Sequence, residues 1–116
     1  MEFTDSLKKN YEFRRLYNKG KSAATPYVVV YVKRTGRDTN RLGITVSNKI
    51  GKAVVRNKVR RRLREIYRLH EGEMQRGCDL VFVARGRSVD ATYAQLEQAV
   101  LKACKQLKVM AEVKAE

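Results

Sequence analysis

From Arg56 to Arg68 the chain reads Arg-Asn-Lys-Val-Arg-Arg-Arg-Leu-Arg-Glu-Ile-Tyr-Arg. Guanidinium groups at this density suit one chemistry, the gripping of phosphate, because the planar fork donates two parallel hydrogen bonds to phosphate oxygens. Stepped at about 100° per residue, Arg60, Arg61, Arg64 and Arg68 gather around Asn57, with Arg56 and Lys58 on the flanks. Val55, Val59, Leu63 and Ile66 fall on the opposite side, and Arg62 lies off the Asn57-centred face, where it should matter less. Charge runs are usually solvated faces in which acids offset repulsion through i, i+4 pairs. Here Glu65 is the one acid in the run, so the face calls for a polyanion, and nucleic acid is the first candidate. Asn57 both donates and accepts, which equips it for a base edge, a ribose hydroxyl or a metal-bound water.

The whole-chain balance agrees, with 26 Lys and Arg against 12 Asp and Glu and a formal charge of +14. At 43% apolar residues the chain is too hydrophobic for a disordered basic tail, and 116 residues suit one domain. No residues point to catalysis by the chain itself. His70 stands alone, Glu71 and Glu73 flank a helix-breaking glycine and read as boundary residues, and no nucleophile–base constellation is visible. Cys78 and Cys104 lack metal-ligand or disulfide spacing and read as buried thiols. The acidic start and the absence of any run of about 18 apolar residues lead to the expectation of a cytoplasmic protein without a membrane span.

The elements that must position the arginines follow from pattern. Asn10 to Lys19 is predicted helical, with Asn10 as cap, Gly20 as stop, and Phe13, Leu16 and Tyr17 on one face. Tyr27 to Lys33 is a strand: Val28, Val30 and Val32 read as core, whereas Tyr27, Val29, Tyr31 and Lys33 form a side that meets something. A turn-rich stretch leads to a second strand over 41–47, giving an expected hairpin. The basic helix should run to about His70, a short strand spans 80–84, and Thr92 with Gln95 forms a capping box for a last helix to about Lys108. Its apolar stripe is Leu96, Val100, Ala103, Cys104 and Leu107. The order αβββαβα, with about four strands, predicts a single-domain α+β fold, an α/β sandwich over residues 1–116, frayed at about 1–8 and 110–116.

Aromatic residues favour RNA over duplex DNA, since Phe13, Tyr17 and Tyr31 would make a floor for unstacked bases unless they simply pack in the core. Leu42-Gly43-Ile44-Thr45-Val46-Ser47-Asn48-Lys49-Ile50-Gly51-Lys52-Ala53-Val54-Val55-Arg56-Asn57, continued by Arg60, Arg61 and Arg64, resembles the signature of the bacterial ribonuclease P protein subunit. The resemblance extends from Lys9-Asn10 and Phe13 through Thr92-Tyr93, with Lys58 standing where arginine is frequent and Tyr17 where phenylalanine is frequent. It implies a small basic partner of a catalytic RNA, in an enzyme that removes the 5′ leader of precursor tRNA with Mg2+ held mainly by the RNA. It also implies a left-handed βαβ crossover in a ribosomal protein S5 domain 2-like fold, against the usual right-handed rule.

Carried onto this chain, the resemblance places the catalytic RNA on Arg56, Asn57, Arg60, Arg61 and Arg64, and Arg68 of the same face and Lys49 and Lys52 of the preceding loop are assigned to RNA binding with them. The leader would run over Phe13, Tyr17 and Tyr31, and Lys33, on the same side of the strand as Tyr31, is assigned to that cleft with them. No metal site, catalytic residue or obligate protein partner is expected in the chain. A ribosomal-type structural RNA binder is the alternative, and a duplex-DNA regulator is the further rival.

Overall fold

The computed structural model describes residues 1–111. Its regular elements are β1 (Thr4–Ser6), α1 (Asn10–Lys19), β2 (Lys21–Ala24), β3 (Val28–Arg34), β4 (Asn40–Thr45), α2 (Ala53–His70), β5 (Cys78–Ala84) and α3 (Tyr93–Gln106). Short 3-10 turns occupy Asn48–Ile50, Glu71–Glu73 and Gly86–Val89. The strands form one mixed sheet in the order β1-β4-β5-β3-β2. This is the expected α+β architecture with one strand added in front, five in place of about four.

The added strand corrects the expected fraying of residues 1–8. Thr4, Asp5 and Ser6 pair in parallel with Asn40, Arg41 and Leu42. The Glu71 carboxylate accepts the N–H groups of Glu2 at 2.7 Å and Phe3 at 3.3 Å, and Thr4 Oγ1 lies 2.7 Å from the Tyr67 hydroxyl. All these partners are distant in sequence, so no local pattern announced them. Near the other end, Met110 bridges Met74 and the Ala111 N–H donates to the Glu73 carbonyl. The remainder of the expected fray, residues 112–116, lies outside the described residues.

The hairpin between β3 and β4 is also corrected. The turn between them reverses the chain, but β5 fills the space, antiparallel to β3 and parallel to β4. Composition explains the insertion: apart from half-buried Val83, β5 is buried along its whole length. A strand apolar on both faces is covered best in the centre of a sheet with helices on each side. The β4-α2-β5 segment is therefore a parallel crossover of the βαβ type.

Local expectations hold where the cause is local. Val28, Val30 and Val32 face the main core with Val59, Leu63, Ile66 and Tyr67 of α2 and Leu96, Val100, Ala103 and Cys104 of α3. Thr92 and Gln95 exchange reciprocal cap hydrogen bonds at 3.1 and 2.9 Å. At α1 the cap is Lys9, whose N–H is accepted by Glu12 at 3.2 Å, so Asn10 is the first helical residue and not the cap. Gly20 does stop α1, and a Cβ there would meet the Leu16 carbonyl at 2.6 Å and that of Val32 at 2.9 Å. Both cysteines are free and buried, and burial pushes the Cys104 thiol up to about 12.

Candidate nucleic-acid interface

Helix α2 presents the arginine face as its periodicity requires, with Val59, Leu63 and Ile66 turned inward. Lys49, Lys52, Arg61 and Arg64 are exposed and make no side-chain hydrogen bond or ion pair among the described residues. Others are held. The Arg56 guanidinium donates to Asn48 Oδ1 at 2.6 Å, which ties the helix start to the preceding turn. Arg60 donates to Asn57 Oδ1 at 3.1 Å, leaving the Asn57 NH2 group free to donate outward. Arg68 is forked onto Glu65 at 3.0 and 2.5 Å, so its charge is largely answered within the helix. Arg62 donates to the Ala91 carbonyl at 3.2 Å and is half-buried, a tether to the α3 side as its place off the face implied.

On the other side of the sheet, α1 lays Phe13 over Gly43. A Cβ at Gly43 would stand 2.4 Å from the Phe13 ring, so the absence of a side chain there is what lets the ring approach. Tyr17 packs edge-on against Tyr31 with ring centres 5.0 Å apart and planes at 73°, and its hydroxyl lies 3.0 Å from Thr45 Oγ1. Phe13 and Tyr31 are half-covered, flanking the small cluster of Leu7, Leu16 and Val81, while Tyr17 is exposed. Phe13, Tyr17, Thr45 and Val46 line a cavity of about 430 Å3 to which α2 contributes Arg60. A smaller neighbouring cavity of about 180 Å3 shares Phe13 and Arg60 and adds Arg64. The two together make a groove around the open edge of β4.

That edge is open because β1 pairs with β4 only as far as Leu42. The Asn40 N–H donates to the Phe3 carbonyl at 2.8 Å and the Leu42 carbonyl accepts from Leu7 at 3.0 Å. Strand alternation then turns the next outward peptide groups, those of Ile44, toward the groove with no strand partner among the described residues.

Arg41 is the residue that sequence reading missed. Its Nε and Nη2 donate to the two carboxylate oxygens of Asp79 at 2.9 and 2.7 Å, and its Nη1 pairs with Glu12 of α1. The hydrogen bond that Arg41 donates to Asp79, followed by the charges of Asp79 and Glu12, raises the Arg41 pKa above its ordinary value against the cost of burial. This three-element link docks the first turn of α1 onto the sheet, beside Phe13. Arg41 and Asp79 become cross-strand neighbours only because β4 and β5 pair.

Lys33 stands apart from the other residues expected to hold the leader. It shares a strand face with Tyr31 but lines a separate cavity with Lys19, Lys21, Arg34 and Lys108, apart from the groove that holds Phe13 and Tyr17. His70 is neither solitary nor free, since Nδ1 pairs with Glu73 and Nε2 lies 3.0 Å from Glu97 of α3. Burial works against its charged form, but hydrogen bonds to Glu97 and Glu73 outweigh that and raise its pKa. No group of three or more His, Cys, Asp or Glu able to hold a metal occurs among the described residues.

A basic helix face thus meets an aromatic groove at Arg60, in a chain that resembles known proteins over nearly its whole length. A family model described as ribonuclease P matches residues 1–108. The ribonuclease P protein component of Clostridium botulinum is 46% identical over 102 residues, 87% of this chain and 92% of that protein. That of Alkaliphilus oremlandii is 41% identical over 110 residues, 95% and 96% of the two chains. Among solved structures, the Staphylococcus aureus RNase P protein superposes with a TM-score of 0.82 at 38% identity over 90% of this chain and 95% of that one. The RNase P protein from Thermotoga maritima gives 0.77 at 32% identity over 84% and 93%. With similarity of this depth over nearly all of its length, the chain belongs to the ribonuclease P protein family.

Proposed function

We propose that this chain serves as the protein subunit of ribonuclease P in the cytoplasm, a single RNA-binding domain that holds the catalytic RNA on α2 and the 5′ leader of precursor tRNA in the groove beside α1. The observation that carries this reading is the double membership of Arg60, which belongs to the arginine face of α2 and also lines the aromatic groove. A strand of RNA leaving a phosphate on Arg60 meets Phe13 and Tyr17 next, where bases stack for roughly 1–3 kcal/mol each. The unpaired Ile44 edge offers a donor and an acceptor to the sugar–phosphate chain on the way.

The chemistry belongs to the RNA in this reading. The acids that the fold brings near basic groups are engaged within the chain: Glu12 and Asp79 by Arg41, Glu65 by Arg68, Glu73 and Glu97 by His70. Such a donor set is a poor fit for a resident Mg2+, which asks for free carboxylate oxygens in octahedral array. The ions that activate water would be held mainly by the catalytic RNA, while the arginines screen phosphate repulsion and strengthen its Mg2+-dependent folding. No helix among the described residues is long and apolar enough to cross a membrane.

Reconstitution tests this directly. Purified protein alone should leave precursor tRNA intact, and added catalytic RNA should give cleavage at low Mg2+; robust cleavage without RNA overturns the division of labour. Arg60→Ala or Arg64→Ala should flatten the dependence of log affinity for the catalytic RNA on log salt by about one unit. An unchanged slope removes those residues from the phosphate interface.

A further inference from the structure

The sheet carries a second concentration of charge at the end remote from the start of α2. β3 begins opposite Ala84, whose strand leads into the turn packed near the α2 N-terminus, and it ends at Arg34 opposite Cys78. Its seven residues put the two ends about 20 Å apart at roughly 3.3 Å per residue. At the far end, Lys19, Lys21, Lys33, Arg34 and Lys108 converge from four segments of the chain around a cavity of about 380 Å3. Its floor is apolar, made by Val32 and Leu107 among others, and no acidic side chain lines it. It has no lining residue in common with the aromatic groove.

Two features separate this cavity from an ordinary basic surface. The carboxylate that faces Lys33 across the strand pair is Asp79, and both its oxygens are taken by the fork of Arg41. None of the five cations has an ion-pair partner among the described residues. Arg34, moreover, is held in place: Nη1 donates to Gln75 Oε1 at 2.8 Å and Nη2 to the Lys108 carbonyl at 3.0 Å. Lys108 adopts a left-handed conformation, φ 59°, which few residues other than glycine accept. The result is a preset guanidinium among four ammonium groups over an apolar floor, which suits phosphates spaced along a ribose chain better than a single small anion.

We propose that this cavity is a further phosphate-binding site that takes the backbone of an RNA segment distinct from those on α2 and in the groove. The inference rests on the reading of the chain as an RNA-binding subunit and adds a third point of contact to it. It also gives Lys33 a role outside the leader groove.

The test is the salt dependence of two equilibria, protein with catalytic RNA and assembled holoenzyme with precursor tRNA. They are measured for wild type, for the triple variant Lys19→Gln, Lys21→Gln, Lys33→Gln, and for the same positions changed to Arg. The Gln triple should flatten one of the two slopes by about two units, and the Arg triple should restore it. The arm that changes identifies which RNA occupies the site. If both slopes of the Gln triple match wild type, the site is refuted. Arg60→Ala in the same series separates the two claims: a flattened slope there with an unaffected Gln triple removes this site and leaves the basic helix standing, whereas no change in either removes the RNA-binding reading as well. Melting curves check that the variants fold, and if the triple melts early, the exposed pair Lys19→Glu, Lys21→Glu carries the test with the same expected loss.

Discussion

Toward α2 and α3 the sheet buries Phe82, Leu80, Val28 and Val30 against Tyr67, Leu63, Ile66, Leu96 and Val100, all at 0–1% exposure. Toward α1 the buried apolar cluster is Leu7, Leu16 and Val81, with Phe13, Tyr31 and Val83 left half-covered around it. The two faces belong to the same strands, so the contrast lies in what covers them. Two long helices seal the first face, while one short helix crosses the second and is fastened by the Arg41 link as much as by packing. Stability and binding are thereby separated: the centre of the sealed face is spent on packing, and the half-covered face keeps aromatic area that a base can bury.

This contrast is open to attack by substitution. Leu63→Ala, at 0% exposure in the sealed core, should cost about 2–5 kcal/mol of unfolding free energy in urea titrations, a large share of a typical domain's total. If Phe13→Ala costs as much, the two faces do not differ as described. Arg41→Met should come next, at roughly 1–3 kcal/mol, because Asp79 and Glu12 are left desolvated without their cation. It should also weaken leader binding more than catalytic-RNA binding; equal loss of both would mean that Arg41 supports the fold in general and not the seating of α1.

Phe13→Ala should lower melting less than Leu63→Ala but cost roughly 1–3 kcal/mol of leader affinity in competition assays, with catalytic-RNA affinity kept. Gly43→Ala sharpens the point, since its methyl group would displace the Phe13 ring while leaving that ring in the protein. Leader affinity unchanged in both variants would take Phe13 out of the groove's function. The smallest effect is expected at His70. Its pKa is raised in the folded state, so the stability it contributes is full below the unfolded value near 6.5 and fades as pH rises through the folded value. Melting temperature should therefore fall across that window, and His70→Gln should flatten the fall; a wild-type profile that is flat there contradicts the Glu73–His70–Glu97 link.

Much of the fold was legible where cause and effect sit within one turn or one strand. The span and facing of α2, the all-valine side of β3, the Thr92–Gln95 box and the stop at Gly20 all follow from spacing or from a backbone that tolerates no Cβ. The pattern failed at β1 and at the β3–β4 pairing, and it missed Arg41. In each case the deciding neighbour lies far away in sequence: Asn40 for Thr4, β5 for both β3 and β4, Asp79 for Arg41. Glu71 shows the same limit, because its boundary position was readable but its grip on the Glu2 and Phe3 amides was not.

By itself, then, the sequence determined a basic helix with one side for phosphate and one for packing, the aromatic residues available for stacking, and the family resemblance. Periodicity within a helix is a property of the local chain, and so is charge. Tertiary structure decided that Arg60 stands beside Phe13 and Tyr17, that Lys33 turns to a different cavity, and that Arg41 fastens α1. Those outcomes depend on β5 occupying the centre of the sheet, which is set by the need to bury both its faces against elements drawn from the whole chain.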